Sequence, residues 1–131
     1  MLISKVAKKF DLSVDTIRYY EKAGLIDPVA KDASGNKDYQ EKELRRINFI
    51  KCMKAAGLSI ENIRNYVDLF HEGLETIPQR KEILENQLVE LVAKKKELDE
   101  TIAYLRQKIE NYEQTLIKRE IENYHPDEEE V

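Results

Sequence analysis

The chain has 131 residues, of which 37% are charged, with a net charge of −4, no tryptophan and one cysteine. This length allows one small domain and an extension, and the composition favours a helical protein with much solvated surface over one with a large core. One cysteine excludes an internal disulfide and a cage of several thiolates around a metal, and without a long apolar run or a signal-peptide core we expect a cytoplasmic protein.

Residues 3–27 predict two short helices joined by a tight turn. After the first helix the apolar spacing breaks, and Ser13 offers its side-chain oxygen to the first turn of the second helix. The second helix should bury Val14 and Ile17 and stop at Gly24, because glycine readily adopts the left-handed conformation at a helix end. The apolar side of the first helix comprises Ile3, Val6, Ala7 and Phe10.

The outward face of the second helix is polar, partly cationic and carries a tyrosine. Arginine can bind a guanine edge or a phosphate, and tyrosine can reach a phosphate or pack against a thymine methyl group. In a helix-turn-helix the second helix lies in the major groove, although a helical hairpin with a solvated face would have the same spacing. The residues of this helix predicted to bind DNA are Ser13, Asp15, Thr16, Arg18, Tyr19 and Lys22.

Residues 27–40 contain Pro28 and a turn at 34–36 between two short extended pieces. This pattern predicts a small hairpin, the wing of a winged helix-turn-helix, and a solvent-exposed connector fits it equally well. If the segment is a wing, three of its side chains could meet the sugar-phosphate backbone of DNA. They are Lys31, Lys37 and Tyr39.

Two further helices, one over residues 41–55 and one beginning at Ser59, complete a predicted head over residues 1–72. Charge is divided unevenly along the chain. Residues 1–56 hold 12 lysines and arginines against 8 aspartates and glutamates, whereas residues 57–131 hold 10 against 18. The basic excess therefore lies with the predicted helix-turn-helix, where contacts to phosphates need it.

Residues 73–76 indicate a hinge, and an apolar pattern with spacings of three and four then continues over residues 77–122. This predicts a long helix with a narrow apolar stripe. Burying one such side chain is worth roughly 1.5 to 3 kcal/mol, so a second copy of the chain is expected to cover the stripe, and a lone exposed helix is disfavoured. The predicted dimerisation residues are Leu84, Leu88, Leu91, Leu98, Ile102, Leu105, Ile109, Tyr112 and Leu116. Residues 123–131 indicate an acidic, disordered tail.

Cys52, on the third predicted helix, is the one residue with candidate chemistry. Cationic neighbours can lower the pKa of a thiol and expose a thiolate to aldehydes or oxidants. A free cysteine three residues after Phe49 can equally be a small buried hydrophobe, so the pattern leaves both alternatives open. Polar and cationic residues beside it or within reach on a helix are Arg45, Asn48, Lys51 and Lys54.

Three segments resemble the MerR family of bacterial transcriptional regulators. They read T-I-R-Y-Y-E-K-A-G-L-I at 16–26, Y-Q-E-K-E-L-R-R-I-N-F-I at 39–50 and A-G-L-S-I-E-N-I at 56–63. Two further segments are most similar to the thiol-bearing, aldehyde-responsive subgroup of that family. They read F-I-K-C-M-K-A-A-G-L-S-I at 49–60 and L-F-H-E-G-L-E-T at 69–76.

The resemblance implies a mainly α fold with a winged helix-turn-helix DNA-binding head followed by a long dimerisation helix that forms an antiparallel coiled coil. It implies a homodimer that binds double-stranded promoter DNA and distorts it so that bacterial RNA polymerase can engage both promoter elements. The subgroup implies a small electrophile as effector, sensed through Cys52. One departure is that the family commonly has an aromatic residue and an arginine where this chain has Asn36 and Lys37.

Other functions are disfavoured. The sequence contains no Ser-His-Asp set, phosphate loop or nucleotide fingerprint, so neither enzymatic activity nor a cofactor is expected. A metal site is also not expected, because metal-binding members of the family use cysteines that this chain lacks, and His71 and His125 are isolated. Two alternatives to an effector-controlled regulator remain: a coiled-coil adaptor whose head binds a protein, and a DNA architectural protein without an effector.

Overall fold

A computed structural model describes residues 1–122, and within them the chain forms six α-helices and one short 3₁₀ helix. The 3₁₀ helix is Leu74–Thr76. The α-helices are α1 Ile3–Phe10, α2 Val14–Lys22, α3 Glu41–Ala55, α4 Ile60–Glu72, α5 Ile77–Glu110 and α6 Tyr112–Ile121. The predicted mainly α class, with a helix-turn-helix head and a long helix, is confirmed. The predicted tail at 123–131, including His125, lies outside the described residues.

Local signals at the ends of α2 agree with the prediction. The Ser13 hydroxyl oxygen accepts a hydrogen bond from the backbone N–H of Thr16 at 3.0 Å. Gly24, just past the helix, has φ 79°, a left-handed conformation that costs glycine little. Asp11 takes the same region at the end of α1, with φ 53°, and its backbone N–H donates to the last turn of that helix.

The head has one apolar core to which α1, α2, α3 and α4 all contribute. Each fully buried aliphatic side chain in it stabilises the fold by roughly 1.5 to 3 kcal/mol. The predicted burial of Ile17 is confirmed, and Val14 packs at the edge of the core. The side chains with no measurable exposure are Val6, Ile17, Leu25, Ile47, Ile50, Ile63 and Val67.

The segment between α2 and α3 is a minimal hairpin, with one antiparallel bridge between Lys31 and Lys37. The carboxylate of Asp32 accepts hydrogen bonds from the backbone N–H groups of Ser34 at 2.9 Å and Asn36 at 3.0 Å. Because the Asp32 side chain binds the Asn36 N–H, this group cannot donate to the Asp32 carbonyl, its partner in a longer ladder. The wing is therefore a tight turn carried on one bridge.

Between α4 and α5 the chain turns through Gly73, whose φ of 118° only glycine adopts without strain. The hydroxyl of the buried Thr76 donates to the carbonyl of Leu69 at 2.6 Å, which ties the turn back onto α4. Further along α5, Ile83 packs against the head core, and Gln87 Nε2 donates to the carbonyl of Ala56 at 2.6 Å. The first turns of α5 therefore belong to the compact unit Met1–Leu91.

The second compact unit, Val92–Val131, is described as far as residue 122. Its helical path is interrupted at Asn111, whose φ of −98° and ψ of 4° leave the α-helical region. The prediction of one unbroken helix over 77–122 is therefore wrong at this residue. Asparagine is a weak helix former because its amide competes for backbone hydrogen bonds. Among the described helices, none has the length and apolarity required to cross a membrane.

Candidate nucleic-acid interface

The outward face of α2 presents its predicted DNA-binding side chains to solvent. Asp15, Arg18, Tyr19 and Lys22 are exposed, and Thr16 is half-buried. The Arg18 guanidinium lies 3.5 Å from the carboxylate of Asp15, and both groups are open to water. Such a pair contributes little to stability, so the arginine can exchange this partner for a base edge or a phosphate.

A groove of about 620 Å³ separates this face from the wing and the start of α1. Its charged lining residues are all cations: Arg18 from α2, with Lys31 and Lys37 from the wing. The structure thus brings together three predicted residues from two segments. The predicted contacts Tyr19 and Lys22 do not line this groove.

The start of α1 adds a feature that the sequence pattern did not indicate. Ile3 and Ser4 line the groove, and the residue before α1, Leu2, forms no side-chain cap. The first N–H groups of a helix have no partner within it and carry the positive end of the helix dipole, so they attract anions. The sequence does carry one signal of this end: Leu2 occupies the position before the helix, where a capping serine or aspartate is usual. The groove therefore combines three cationic side chains with a helix N-terminus, an arrangement suited to a phosphate.

Tyr39 does not belong to this surface. It is 2% exposed and part of the head core, and its backbone N–H donates to the carbonyl of Met1 at 2.8 Å. Burial raises the pKa of its phenol, the carboxylates of Glu21 and Glu43 raise that pKa further, and Arg18 lowers it. The predicted contact between Tyr39 and the sugar-phosphate backbone is wrong, because the ring fills the core and its hydroxyl is inaccessible.

Cys52 is exposed on α3, so the alternative of a buried hydrophobe is wrong. Its neighbour Lys51 is directed elsewhere, since the Lys51 ammonium donates to the carbonyl of Phe10 at the end of α1. The carbonyl of Cys52 accepts the N–H of Ala56 at 3.0 Å, and the carbonyl of Ala56 accepts the amide of Gln87. The thiol-bearing residue is therefore one helical turn before a contact between α3 and α5.

The predicted dimerisation residues differ in exposure within the single chain. Leu84 and Leu116 are partly buried. The remaining seven are exposed: Leu88, Leu91, Leu98, Ile102, Leu105, Ile109 and Tyr112.

The described part of the chain holds no cluster of three or more histidine, cysteine, aspartate or glutamate side chains placed to bind a metal ion. His71, on the last turn of α4, lies 3.2 Å from a carboxylate oxygen of Asp27, so its contact is a surface ion pair when the imidazole is protonated.

Comparison with known proteins identifies the family. Residues 1–69 match the MerR HTH family regulatory protein family, and residues 44–111 match the MerR, DNA binding family. The HTH-type transcriptional regulator AdhR of Bacillus subtilis (strain 168) is 49% identical over 92 residues, which cover 70% of this chain and 66% of AdhR. The uncharacterized HTH-type transcriptional regulator YyaN of the same organism is 35% identical over 133 residues, which cover 92% of this chain and 96% of YyaN.

Among solved structures, the fold is similar to that of HiNmlR, described as a MerR family regulator lacking the sensor domain and bound to promoter DNA. The two chains share 28% identity with a TM-score of 0.79, over 88% of this chain and 92% of HiNmlR. The named relatives are transcriptional regulators rather than enzymes. The chain belongs to the MerR family of helix-turn-helix, DNA-binding transcriptional regulators.

Proposed function

We propose that this chain binds promoter DNA by laying α2 in the major groove while the cationic groove holds a backbone phosphate. The observation that carries this proposal is the convergence of Arg18, Lys31 and Lys37 on the groove at the start of α1. The similarity to HiNmlR, whose structure contains promoter DNA, supports the same use of the head. The proposed DNA-binding residues are Ser13, Asp15, Thr16, Arg18, Tyr19, Lys22, Lys31 and Lys37.

We further propose a homodimer in which the DNA-binding domain is 1–72, the hinge is 73–76 and the dimerisation region is 77–122. The exposed aliphatic side chains along α5 support it, because water-exposed leucines at coiled-coil spacing gain by pairing with a second copy. An antiparallel pair would hold two heads apart so that they bind two-fold-related half-sites. The dimer would distort the promoter between those half-sites and thereby change how RNA polymerase engages it.

For the effector, we propose a small aldehyde that reacts with Cys52. The thiolate sulfur would attack the carbonyl carbon, the carbonyl electron pair would move to oxygen, and that oxygen would take a proton from water to give a hemithioacetal. The exposure of Cys52 and the 49% identity to AdhR over 70% of the chain support this assignment. An adduct one turn before Ala56 would disturb the contact with Gln87 and so bias the head relative to α5.

The DNA-binding proposal is tested by selecting an operator from random duplexes and measuring its affinity for Arg18→Ala. We expect the variant to bind the operator and random duplex more weakly by a similar factor and to lower the slope of log affinity against log salt concentration, because the proposed contact is to a phosphate. Lys81→Ala is the matched control, because Lys81 is an exposed cation outside the groove, and its affinity should match that of the parent. Unchanged operator affinity in Arg18→Ala would remove α2 from the recognition surface.

The effector proposal is tested separately in a reporter strain treated with formaldehyde or methylglyoxal. Cys52→Ser should still bind the operator but should not change promoter output on treatment. A Cys52→Ser protein that responds as fully as the parent would exclude this thiol as the sensor. Because operator binding is measured first, this outcome leaves the DNA-binding proposal standing.

A further inference from the structure

The aromatic ring of Phe70, near the end of α4, is flanked by two guanidinium groups. Arg46 Cζ of α3 lies 4.7 Å from the ring centroid, and Arg80 Cζ of α5 lies 5.3 Å from it. Phe70 is 48% exposed, so burial in the core does not explain its position. Each guanidinium is attracted to the ring face, whereas the two like charges repel each other, so attraction to the ring is partly offset.

Arg46 connects this ring to the segment that follows α2. Its Nη1 donates to the carbonyl of Leu25 at 3.4 Å, three residues beyond the last residue of α2. The Leu25 side chain is fully buried, so this carbonyl has a fixed position in the head. Burial lowers the pKa of the Arg46 guanidinium, and the nearby charge of Asp27 opposes that shift. Arg46 therefore links the Phe70 ring to the segment that follows α2.

Arg80 connects the same ring to the beginning of α5. Its Nε donates to the hydroxyl of Thr76 at 3.0 Å, and its Nη2 donates to the carbonyl of Gly73 at 3.3 Å. Both acceptors are in the turn between α4 and α5, where the glycine φ of 118° allows the change of direction. A planar guanidinium can stack with its face and hydrogen-bond with its edge at once, which a lysine ammonium cannot do.

We propose that Arg46, Phe70 and Arg80 are positioning residues that couple the orientation of α2 on DNA to the direction in which α5 leaves the head. This inference depends on the proposed function, in which paired α5 helices set the separation of two heads. The angle between α2 and the start of α5 then fixes the spacing of half-sites that a dimer can bind. Loosening the stack weakens discrimination between spacings but leaves the contacts of one head with one half-site intact.

The test measures affinity for the selected operator, for duplexes whose half-sites are one or two base pairs closer or farther apart, and for a single half-site. The variants are Arg46→Lys, Phe70→Leu and Arg80→Lys, which keep charge or apolar character but lose planar stacking. Arg45→Lys is the matched control, since Arg45 is an exposed arginine on α3 outside the stack. Circular dichroism and thermal unfolding are recorded for each protein.

We expect the spacing preference of each stack variant to fall by roughly two- to thirtyfold, the range by which single residues modulate coupling between sites. Half-site affinity should be unchanged, and Arg45→Lys should behave as the parent. If a stack variant loses the same factor of affinity for the half-site and for the full operator, the stack only stabilises the head and the inference is wrong. An unchanged spacing preference would also overturn it. If the parent shows no preference for one spacing of half-sites, the proposed function itself is wrong. That outcome differs from one in which only the stack variants behave as the parent.

Discussion

Lys37 Nζ lies 2.8 Å from each carboxylate oxygen of Glu21, so the wing is tied to α2 when no DNA is present. Glu21 is the more enclosed partner, with 15% of its side chain exposed. A charged hydrogen-bonded pair with one enclosed member is worth more than an ordinary surface ion pair. The pair therefore sets the wing position and at the same time cancels one of the three cations of the groove.

Replacing Glu21 with glutamine should free the charge of Lys37 for DNA. Binding to random duplex is expected to tighten, and the slope of log affinity against log salt concentration should become steeper by about one phosphate contact for each bound head. Fluorescence anisotropy titrations over a range of potassium chloride concentrations measure both quantities. Lys37→Gln is the opposite change and should reduce the slope by about one contact for each bound head. If neither slope changes, Lys37 makes no phosphate contact.

Features set by near neighbours in the sequence were predictable. Ser13 and Gly24 define the ends of α2 because a capping hydroxyl and a left-handed glycine act within one helical turn. The outward face of α2 followed from helical periodicity in the same way. The predicted wing was also found, although its length was not predictable, because the Asp32 side chain binds the Asn36 N–H that a longer ladder would need.

Features set by packing between distant segments were not predictable from one sequence. In the sequence Tyr39 has the position of an exposed wing residue. In the fold its N–H bonds the carbonyl of Met1 and its ring is part of the head core. The Arg46, Phe70 and Arg80 stack joins three helices, so no spacing rule brings its members together. Asn111 gave a weak local signal that the apolar periodicity around it outweighed.

The hydroxyl of Tyr39 is buried and has no hydrogen-bond partner in the described part of the chain. Removing a buried polar group that lacks a partner is nearly neutral or stabilising, so Tyr39→Phe should change the free energy of unfolding by less than about 1 kcal/mol or increase it. Operator affinity should also be unchanged. Tyr19→Phe is the matched control: its hydroxyl is on the exposed face of α2, so operator affinity should fall while stability remains. Urea unfolding measures the stability of the two variants, and fluorescence anisotropy measures their operator affinity. A loss of operator affinity in Tyr39→Phe would contradict the burial of its hydroxyl.

Alkaline pH should destabilise the head through its buried phenols. Burial raises the pKa of Tyr20 and of Tyr39 above the ordinary value of about 10. The folded state therefore keeps these protons to higher pH than the unfolded state, so their contribution to stability is complete below about pH 10 and is lost as pH rises through the folded pKa. Urea midpoints measured between neutral pH and pH 11 should show this fall, and Tyr39→Phe should reduce it. An equal fall in both proteins would exclude Tyr39 as a source of the pH dependence.

The exposed stripe on α5 predicts an association that single substitutions can break. Leu98 is 61% exposed in the single chain, so glutamate there costs an isolated helix little, whereas in a paired seam it would place a charge among apolar side chains. Leu98→Glu should therefore convert a dimer to single chains in sedimentation velocity at micromolar concentration. Val89→Glu is the control, because Val89 is 69% exposed and outside the predicted seam, and it should leave the dimer intact. The predicted dimerisation residues would be wrong if the parent sediments as a single chain or if Leu98→Glu remains dimeric. Dissociation of both variants would mean that the dimer contact covers a broader face of the helix.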